Sequence, residues 1–382
     1  MEFNLTDEQQ SIREETRAFV DEVIAPSAAE NARLHRFPRE IVRELAARGF
    51  MGGPIPREWG GRGYDYISHA LVAEEIGRGC SSMRSTFSAH LSLCALPIYT
   101  WGTEDQKERY LRKMARGEWL GCMGLTEADA GSDVGGMLSA AEDRGDHYLL
   151  TGRKVWISNG CEADLALVYA KTDKTQGTRG ITAFLVEMAW EGCSAEEIHG
   201  KLGLWSSNTA ELIFDQARVP AENVLGEVGS GFKVAMSALD YGRFTVASGC
   251  VGLAQACLDA VRDFVKESGP ALLRARPEVR ETIGEMARDI DAGRLLVMRV
   301  GHLKNRGARN TRETCVAKYF TSELANRAAT QGTRVIGMEA NSEKLPVERY
   351  LRDAKVNTLF EGTSQIQNLI IGSLELGIRA IS

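Results

Sequence analysis

Read for its apolar positions, the chain falls into three textures. From about residue 4 to 118 the apolar residues recur at helical spacing. Thr6 and Gln9 form a capping-box pattern ahead of Ile12, Phe19, Val20 and Val23, and Pro26 is expected to stop that helix. Pro38 opens a second helix through Ile41, Leu45 and Ala46 that closes at Gly49, and a turn-rich loop follows from Pro54 to Gly63. Further helical runs cover Ser68 to Gly77, Ser85 to Gly102 and Glu104 to Ala115. Around residue 119 the period changes. The runs Tyr148–Thr151, Val155–Ile157, Leu165–Tyr169, Ile181–Val186 and Ala210–Asp215 are short, β-branched or aromatic, and bounded by Gly, Asn and Asp. No helices separate them, so an antiparallel barrel or sandwich is expected. From Phe232 helical spacing returns through Val246, Val251, Leu253 and Leu258, then over Ile283–Leu303 and Thr314–Thr333. The pattern predicts a mainly α protein with a central β domain: an N-terminal α-helical domain at 1–118, the β domain at 119–229 and a C-terminal four-helix-type bundle at 230–382.

Composition narrows the function. The 382 residues are 43% hydrophobic and 26% charged, as in ordinary globular proteins. A net charge of −6 without a basic run gives no footprint for nucleic acid or an anionic membrane. The acidic N-terminus is unlike a signal peptide, and no apolar run reads as long enough to cross a bilayer, so the cytoplasm is the expected compartment. Eight cysteines without a C-x-x-C pair read as free thiols and not as a metal site. There is no G-K-[ST] phosphate loop and no G-x-G-x-x-G after a strand, against a nucleoside triphosphate site or a Rossmann unit.

One acid stands out. Glu361 follows Leu359 and Phe360 and precedes Gly362, and Thr363 is placed to cap a helix through Ile366, Leu369 and Ile370. An acid among apolar side chains at a helix entrance is a candidate base with a raised pKa. By spacing alone it reads more often as a loop acid.

Three stretches change that reading. They are Gly124-Leu125-Thr126-Glu127-Ala128-Asp129-Ala130-Gly131-Ser132-Asp133, Gly152-Arg153-Lys154-Val155-Trp156-Ile157-Ser158-Asn159-Gly160 and Phe360-Glu361-Gly362-Thr363-Ser364-Gln365-Ile366-Gln367. In this order and on these textures, the chain resembles the acyl-CoA dehydrogenase family over essentially its whole length. The resemblance implies FAD and the desaturation of an acyl thioester, a carboxylate taking the α-proton while the β-hydride passes to flavin N5. It places that base at Glu361. In related enzymes the base precedes the arginine of the Asp240-Tyr241-Gly242-Arg243 segment, and here that position is Gly242, which can abstract nothing.

The resemblance also implies roles for other residues. Met123, Leu125, Thr126, Gly131 and Ser132 would meet the flavin edge, Trp156, Ile157 and Ser158 would lie beside the isoalloxazine, and Thr363 and Gln365 would reach the cofactor from the helical side. Ser132, Asp240, Arg243 and Gly362 fall on the substrate side. Arg84, with Ser85, lies where glutaryl-CoA dehydrogenases carry an arginine for a distal carboxylate; a purely structural arginine is the alternative. Implied partners are acyl-CoA, an electron-transferring flavoprotein and other copies of the chain in a homotetramer.

The pattern breaks in two places. The family's R-x-x-F-G stretch, which reaches the FAD pyrophosphate of a neighbouring subunit, is replaced by Lys266-Glu267-Ser268-Gly269-Pro270 and its sequel to Glu278. Of the Q-x-x-G-G-x-G element only Gly337 survives. Arg274, Arg276 or Arg334 substitutes as the phosphate partner, or a paralogous partner completes the site in a hetero-oligomer, or the chain is a non-catalytic subunit. An acyl group on an acyl carrier protein is the alternative substrate.

Overall fold

A computed structural model describes residues 4–378. The capping box forms as read: the Thr6 hydroxyl accepts from Gln9 N, and the Gln9 side chain accepts from Thr6 N. Pro26 does not stop the run. Helix α1 (Asp7–Phe19) widens into a π-turn over Val20–Ile24 and continues as α2 (Ala25–Arg33), with Pro26 in its first turn. The restarted turn needs no N–H at that position, which is where proline is tolerated. Helices α3 (Arg39–Ala47), α4 (Tyr66–Gly79) and α5 (Ser81–His90) follow, then α6 (Leu96–Trp101), α7 (Glu104–Gln106) and α8 (Arg112–Ala115).

The central domain has strands β1 (Gly121–Gly124), β2 (Ala140–Asp143), β3 (His147–Ser158), β4 (Leu165–Lys171), β5 (Ile181–Glu187), β6 (Cys193–Glu197) and β7 (Thr209–Pro220). Their order is β1-β4-β2-β3-β7-β6, with β5 on β4. The pairs β2/β3, β3/β7, β4/β5 and β6/β7 are antiparallel as expected, but β1 runs parallel to β4 and β2 meets β4 in a parallel bridge. The sheet is therefore mixed, not purely antiparallel. The reason is the long connection after β1, which turns the chain back so that β2 starts in the direction of β1. That connection carries Thr126, Gly131 and Ser132. Strands β4 and β5 read as unbroken apolar runs because both faces are buried. Leu165, Leu167 and Tyr169 join the core under the N-terminal helices, and Ala166, Val168 and Ala170 join a second core on the other side.

The C-terminal bundle is α9 (Gly231–Ala275), α10 (Glu278–Asn305), α11 (Thr311–Ile336), α12 (Val347–Val356) and α13 (Ser364–Leu376). Contrary to the reading of the apolar runs, α9 is long and apolar enough to cross a membrane. Yet 83% of its apolar window is buried inside the protein, where it forms the bundle core. It kinks at Gly269, with φ +73, ahead of Pro270.

Helices α4 and α9 cross with no side chain between them. A Cβ on Gly252 would lie 1.9 Å from the Glu74 carbonyl oxygen, and one on Gly77 would lie 2.4 Å from that of Gly249. Gly249 in turn leaves the room that Arg84 fills, its Cδ 2.6 Å from where a Cβ would stand. Gly252→Ala is expected to cost about 1–3 kcal/mol by overpacking. Gly284→Ala, at an exposed α10 position with nothing within 4 Å, is expected to gain roughly 0.4–1 kcal/mol. Urea unfolding of the two variants checks both signs.

Candidate active site

Glu361 stands in the turn between α12 and α13 with φ +52, and Gly362 follows at φ +88. A side chain in this left-handed region costs roughly 1–3 kcal/mol and persists only where its surroundings enforce it. Donors from three helices do so here. Arg243 Nε of α9 donates to the Glu361 carbonyl at 3.1 Å. Gln367 Nε2 of α13 reaches the Glu361 and Gly362 carbonyls, each at 3.1 Å. Lys318 Nζ of α11 donates to the Gly362 carbonyl at 2.8 Å. All three side chains are buried.

So held, the carboxylate is turned onto α9. A Cβ on Gly242 would lie 2.0 Å from Glu361 Oε2. Gly242 is thus more than a position without a carboxylate; it is the space the Glu361 carboxylate occupies. Among the described residues, Oε2 and the nearby Ser88 hydroxyl are sealed from solvent with no partner in hydrogen-bonding geometry, though the hydroxyl lies close enough to favour the ionised carboxylate. Burial raises the carboxyl to about 7, against the opposing pull of Arg84, Lys318 and Arg243 and of the Ser88 hydroxyl. A neutral-pH base in a dry site is what abstraction of a weakly acidic carbon-bound proton requires.

Arg84 is 1% exposed. Its Nη2 donates to Asn357 Oδ1 at 2.7 Å, its guanidinium lies 5.5 Å from the centre of the Phe360 ring, and Nη1 has no partner. Burial lowers its pKa, with Cys250, Glu361 and Asp353 among the groups opposing the fall. Its whole helix, Ser81 to His90, is buried despite its serines, threonine, arginine and histidine. Such a polar wall is costly unless the groups it presents find partners.

On the β side, β1 and β3 present the expected flavin positions. Glu127 and Lys154 tie these segments together beneath the surface. The Glu127 carboxylate accepts from Lys154 Nζ at 2.7 Å and from Leu138 N and Ser139 N, and Lys154 is 0% exposed. Val155 N also donates to Thr126 O. A register shift between Lys154 and Ile157 against β7 puts Trp156 at φ +61 on a bulge, and its ring is 60% exposed. An exposed indole on a strand tied to the Thr126 backbone fits a flat heterocycle. The side chains of Leu125 and Ile157 are buried, and their carbonyls accept from Lys154 Nζ and Gly160 N. The two halves meet at Asn159, whose Nδ2 donates to Thr86 O of α5 and Gly121 O of β1.

The remaining expected residues are placed as follows. Met123 is the penultimate residue of β1, half-buried, and Gly131 lies exposed on the following loop. Ser85 lies beside Arg84 in the buried helix. Asp240 accepts from Arg243 Nη1 and from the Thr311 hydroxyl, which puts the Asp240–Arg243 pair directly behind the base. The Thr363 hydroxyl caps α13 by accepting from Ile366 N, and Gln365 is exposed on its first turn. Sequence reasoning missed Lys318, Gln367, Ser88 and the Glu127–Lys154 pair. A signal existed for Lys318: it shares the buried stripe Thr314, Thr321, Ala325 and Ala328 of α11 at helical spacing.

The folded-state pKa of Glu361 stands above that of an exposed glutamate. Its contribution to stability is complete below about pH 4.3 and is lost as pH rises through the folded value. Glu361→Gln should therefore raise Tm over the wild type more at about pH 8.5 than at about pH 5. Equal differences in thermal melts at the two pH values would contradict the raised pKa.

Comparison with known proteins gives the same picture. Family models match in chain order: acyl-CoA dehydrogenase N-terminal domain at residues 6–118, middle domain at 122–217 and C-terminal domain at 229–374. The chain is 38% identical over 374 residues to the short-chain-specific acyl-CoA dehydrogenase of Clostridium acetobutylicum, covering 97% of this chain and 98% of that one. It is 39% identical over 391 residues to the glutaryl-CoA dehydrogenase of Desulfococcus multivorans, covering 99% of each. A chain solved in work on the electron transferring flavoprotein of Acidaminococcus fermentans superposes with a TM-score of 0.96 at 38% identity, covering 98% of this chain and 100% of that chain. On these matches, over domains that hold both the carboxylate turn and strands β1 and β3, the chain belongs to the acyl-CoA dehydrogenase family of flavin-dependent oxidoreductases.

Proposed function

We propose that the protein binds FAD and desaturates an acyl-CoA between Cα and Cβ, with Glu361 as the α-proton base. The carrying observation is the buried, unpartnered Oε2 of Glu361 in the space left by Gly242, with its pKa raised to about 7. Leu125, Thr126, Ser132, Trp156 and Ser158 would hold the flavin, with Thr363 and Gln365 on its helical side. When bound, FAD supplies the two-electron acceptor for the β-hydride.

The chain's own part is to aim, dry and charge the base. The clamp on the Glu361 and Gly362 carbonyls fixes its direction, and the half-buried Leu93 and Phe360 flank the turn while Oε2 is sealed from solvent. Arg84, Lys318 and Arg243 favour the ionised carboxylate, so that the base is available near neutrality without full solvation. Glu361 takes the proton from Cα as the double bond forms to Cβ. The complete base and clamp support a catalytic role over a silent subunit.

An electron-transferring flavoprotein is the proposed electron acceptor, supported by the likeness to the Acidaminococcus chain. A homotetramer is the proposed assembly. The exposed apolar side chains of Met338, Leu359, Leu369 and Leu376 support self-association. Of the arginines that can substitute at a neighbour's FAD phosphate, Arg276 is committed to the Val335 and Arg334 carbonyls. Arg274 and Arg334 are exposed. Eight unpaired cysteines support a reducing compartment such as the cytoplasm.

The finer reading concerns the acyl group. Arg84 is a desolvated cation with an unpartnered Nη1, standing over the Phe360 ring next to Glu361 in sequence, which suits a dicarboxylic acyl chain, and the glutaryl-CoA dehydrogenase relative supports this. Anaerobic flavin bleaching across short, branched, dicarboxylic and carrier-bound acyl thioesters tests the function as a whole; a protein that no acyl thioester bleaches would overturn it. Arg84→Gln should raise the KM for a dicarboxylic acyl-CoA by roughly 10- to 100-fold and that for butyryl-CoA far less. Equal effects on both substrates would sink the assignment of Arg84.

A further inference from the structure

Lys318 is a buried lysine with one direct hydrogen bond among the described residues, the 2.8 Å contact to the Gly362 carbonyl. It stands on α11, a helix that contributes no substrate or flavin residue to the site. We propose that Lys318 is a positioning residue for the base. Its ammonium holds the peptide that follows Glu361, and so keeps the left-handed turn that aims the carboxylate at the space beside Gly242. Its charge also favours the ionised carboxylate over the protonated acid.

The geometry carries this in three steps. First, the turn is unfavourable on its own, with a non-glycine residue at φ +52 directly before a glycine at φ +88. Second, among the described residues the Gly362 carbonyl is held by two donors, Gln367 Nε2 and Lys318 Nζ. Gln367 is shared with the Glu361 carbonyl, so Lys318 is the donor dedicated to Gly362. Third, a lysine costs several kcal/mol to bury unless it meets a partner of real value. A neutral donor such as glutamine would have satisfied a carbonyl alone, and of the two acids near Lys318 Glu323 is engaged by Ser364, which leaves the carboxylate of Glu361 as the group its charge favours.

The charged and titratable groups around the base come from every helix packed on it: Arg84 from α5, Arg243 and the Cys250 thiol from α9, and Lys318 from α11. Around Lys318 stand Cys250, Glu361, Arg243 and Glu323, and Glu323 is engaged by the Ser364 hydroxyl at 2.5 Å. Burial lowers Lys318 to about 8, which leaves it protonated at neutral pH. Arg84 and Arg243 already have other partners in Asn357 and Asp240, whereas the ammonium of Lys318 has no carboxylate in direct contact.

The inference rests on Glu361 as the base, and the test separates the two. The steady-state pH profiles of flavin-loaded wild type, Lys318→Met and Lys318→Arg are measured with butyryl-CoA. In Lys318→Met the midpoint of the acidic limb of kcat should rise by about one pH unit and kcat should fall roughly 10- to 100-fold. KM should change less than about twofold, because Lys318 is not expected to touch substrate. Lys318→Arg should restore the wild-type limb. An unmoved limb in Lys318→Met, or a loss confined to KM, would overturn the role of Lys318 while leaving Glu361 as the base. A wild-type profile without an acidic limb would overturn the base and this inference together. Should Lys318→Met not fold, Lys318→Gln is read instead: it keeps an amide donor and drops the charge, so the limb must still move upward for the inference to stand.

Discussion

A carboxylate withdrawn from water has to be aimed and counter-charged by the protein around it, and the organisation of this chain follows from that need. The Glu361–Gly362 turn is left-handed at both residues and is fixed by side chains from α9, α11 and α13. Each of those helices is placed by packing that has nothing to do with chemistry. The close crossing of α4 and α9 over Gly77, Gly249 and Gly252 sets the depth at which Gly242 and Arg243 meet the turn. The same crossing gives Arg84 its channel past Gly249. The bundle core therefore acts as the ruler for the site.

The β domain solves a different problem. Two segments far apart in sequence, the loop after β1 and the end of β3, must present one continuous surface to a flat cofactor. The buried Glu127–Lys154 pair joins them, with Glu127 also receiving the Leu138 and Ser139 amides. Burial pushes the Glu127 carboxyl up, but Lys154 and these donors outweigh it and hold it below the usual carboxylate range. A buried pair of this kind is weak evidence for net stability, since a hydrophobic pair can pack as well. Its direction and exclusivity suit the fixing of one geometry, and the bulge that exposes Trp156 begins one residue beyond Lys154.

Much of the fold was legible because its signals are local. The Thr6 capping box, the Thr363 cap and the change from helical to strand spacing near residue 119 each concern neighbours in sequence. Pro26 misled because a π-turn re-phases the helix around it, and the long apolar reach of α9 was masked by its interspersed glycines and serines. The parallel pairing of β1 with β4 could not be read from alternation, which fixes which face a residue takes but not strand direction. At the site, the identity of Glu361 was legible through the stretch around it. The clamp was not, because Arg243, Lys318 and Gln367 converge from three helices and only their fold makes them neighbours. Gly242 shows the limit well: in the sequence it was a missing base, and in the structure it is the room that Glu361 Oε2 fills.

In the proposed reaction one carboxyl, half-buried with its Oε2 sealed from solvent and ionising near neutrality, sets the rate of proton removal. The most direct test is the rate of anaerobic flavin bleaching by butyryl-CoA in a single turnover, followed across pH in the wild type and in Glu361→Gln. The account predicts a wild-type rate that rises through a midpoint near 7 and then levels. It predicts a Glu361→Gln rate lower by roughly 100-fold or more without that midpoint. A pH-independent wild-type rate, or a Glu361→Gln protein that bleaches as fast as the wild type, would contradict it.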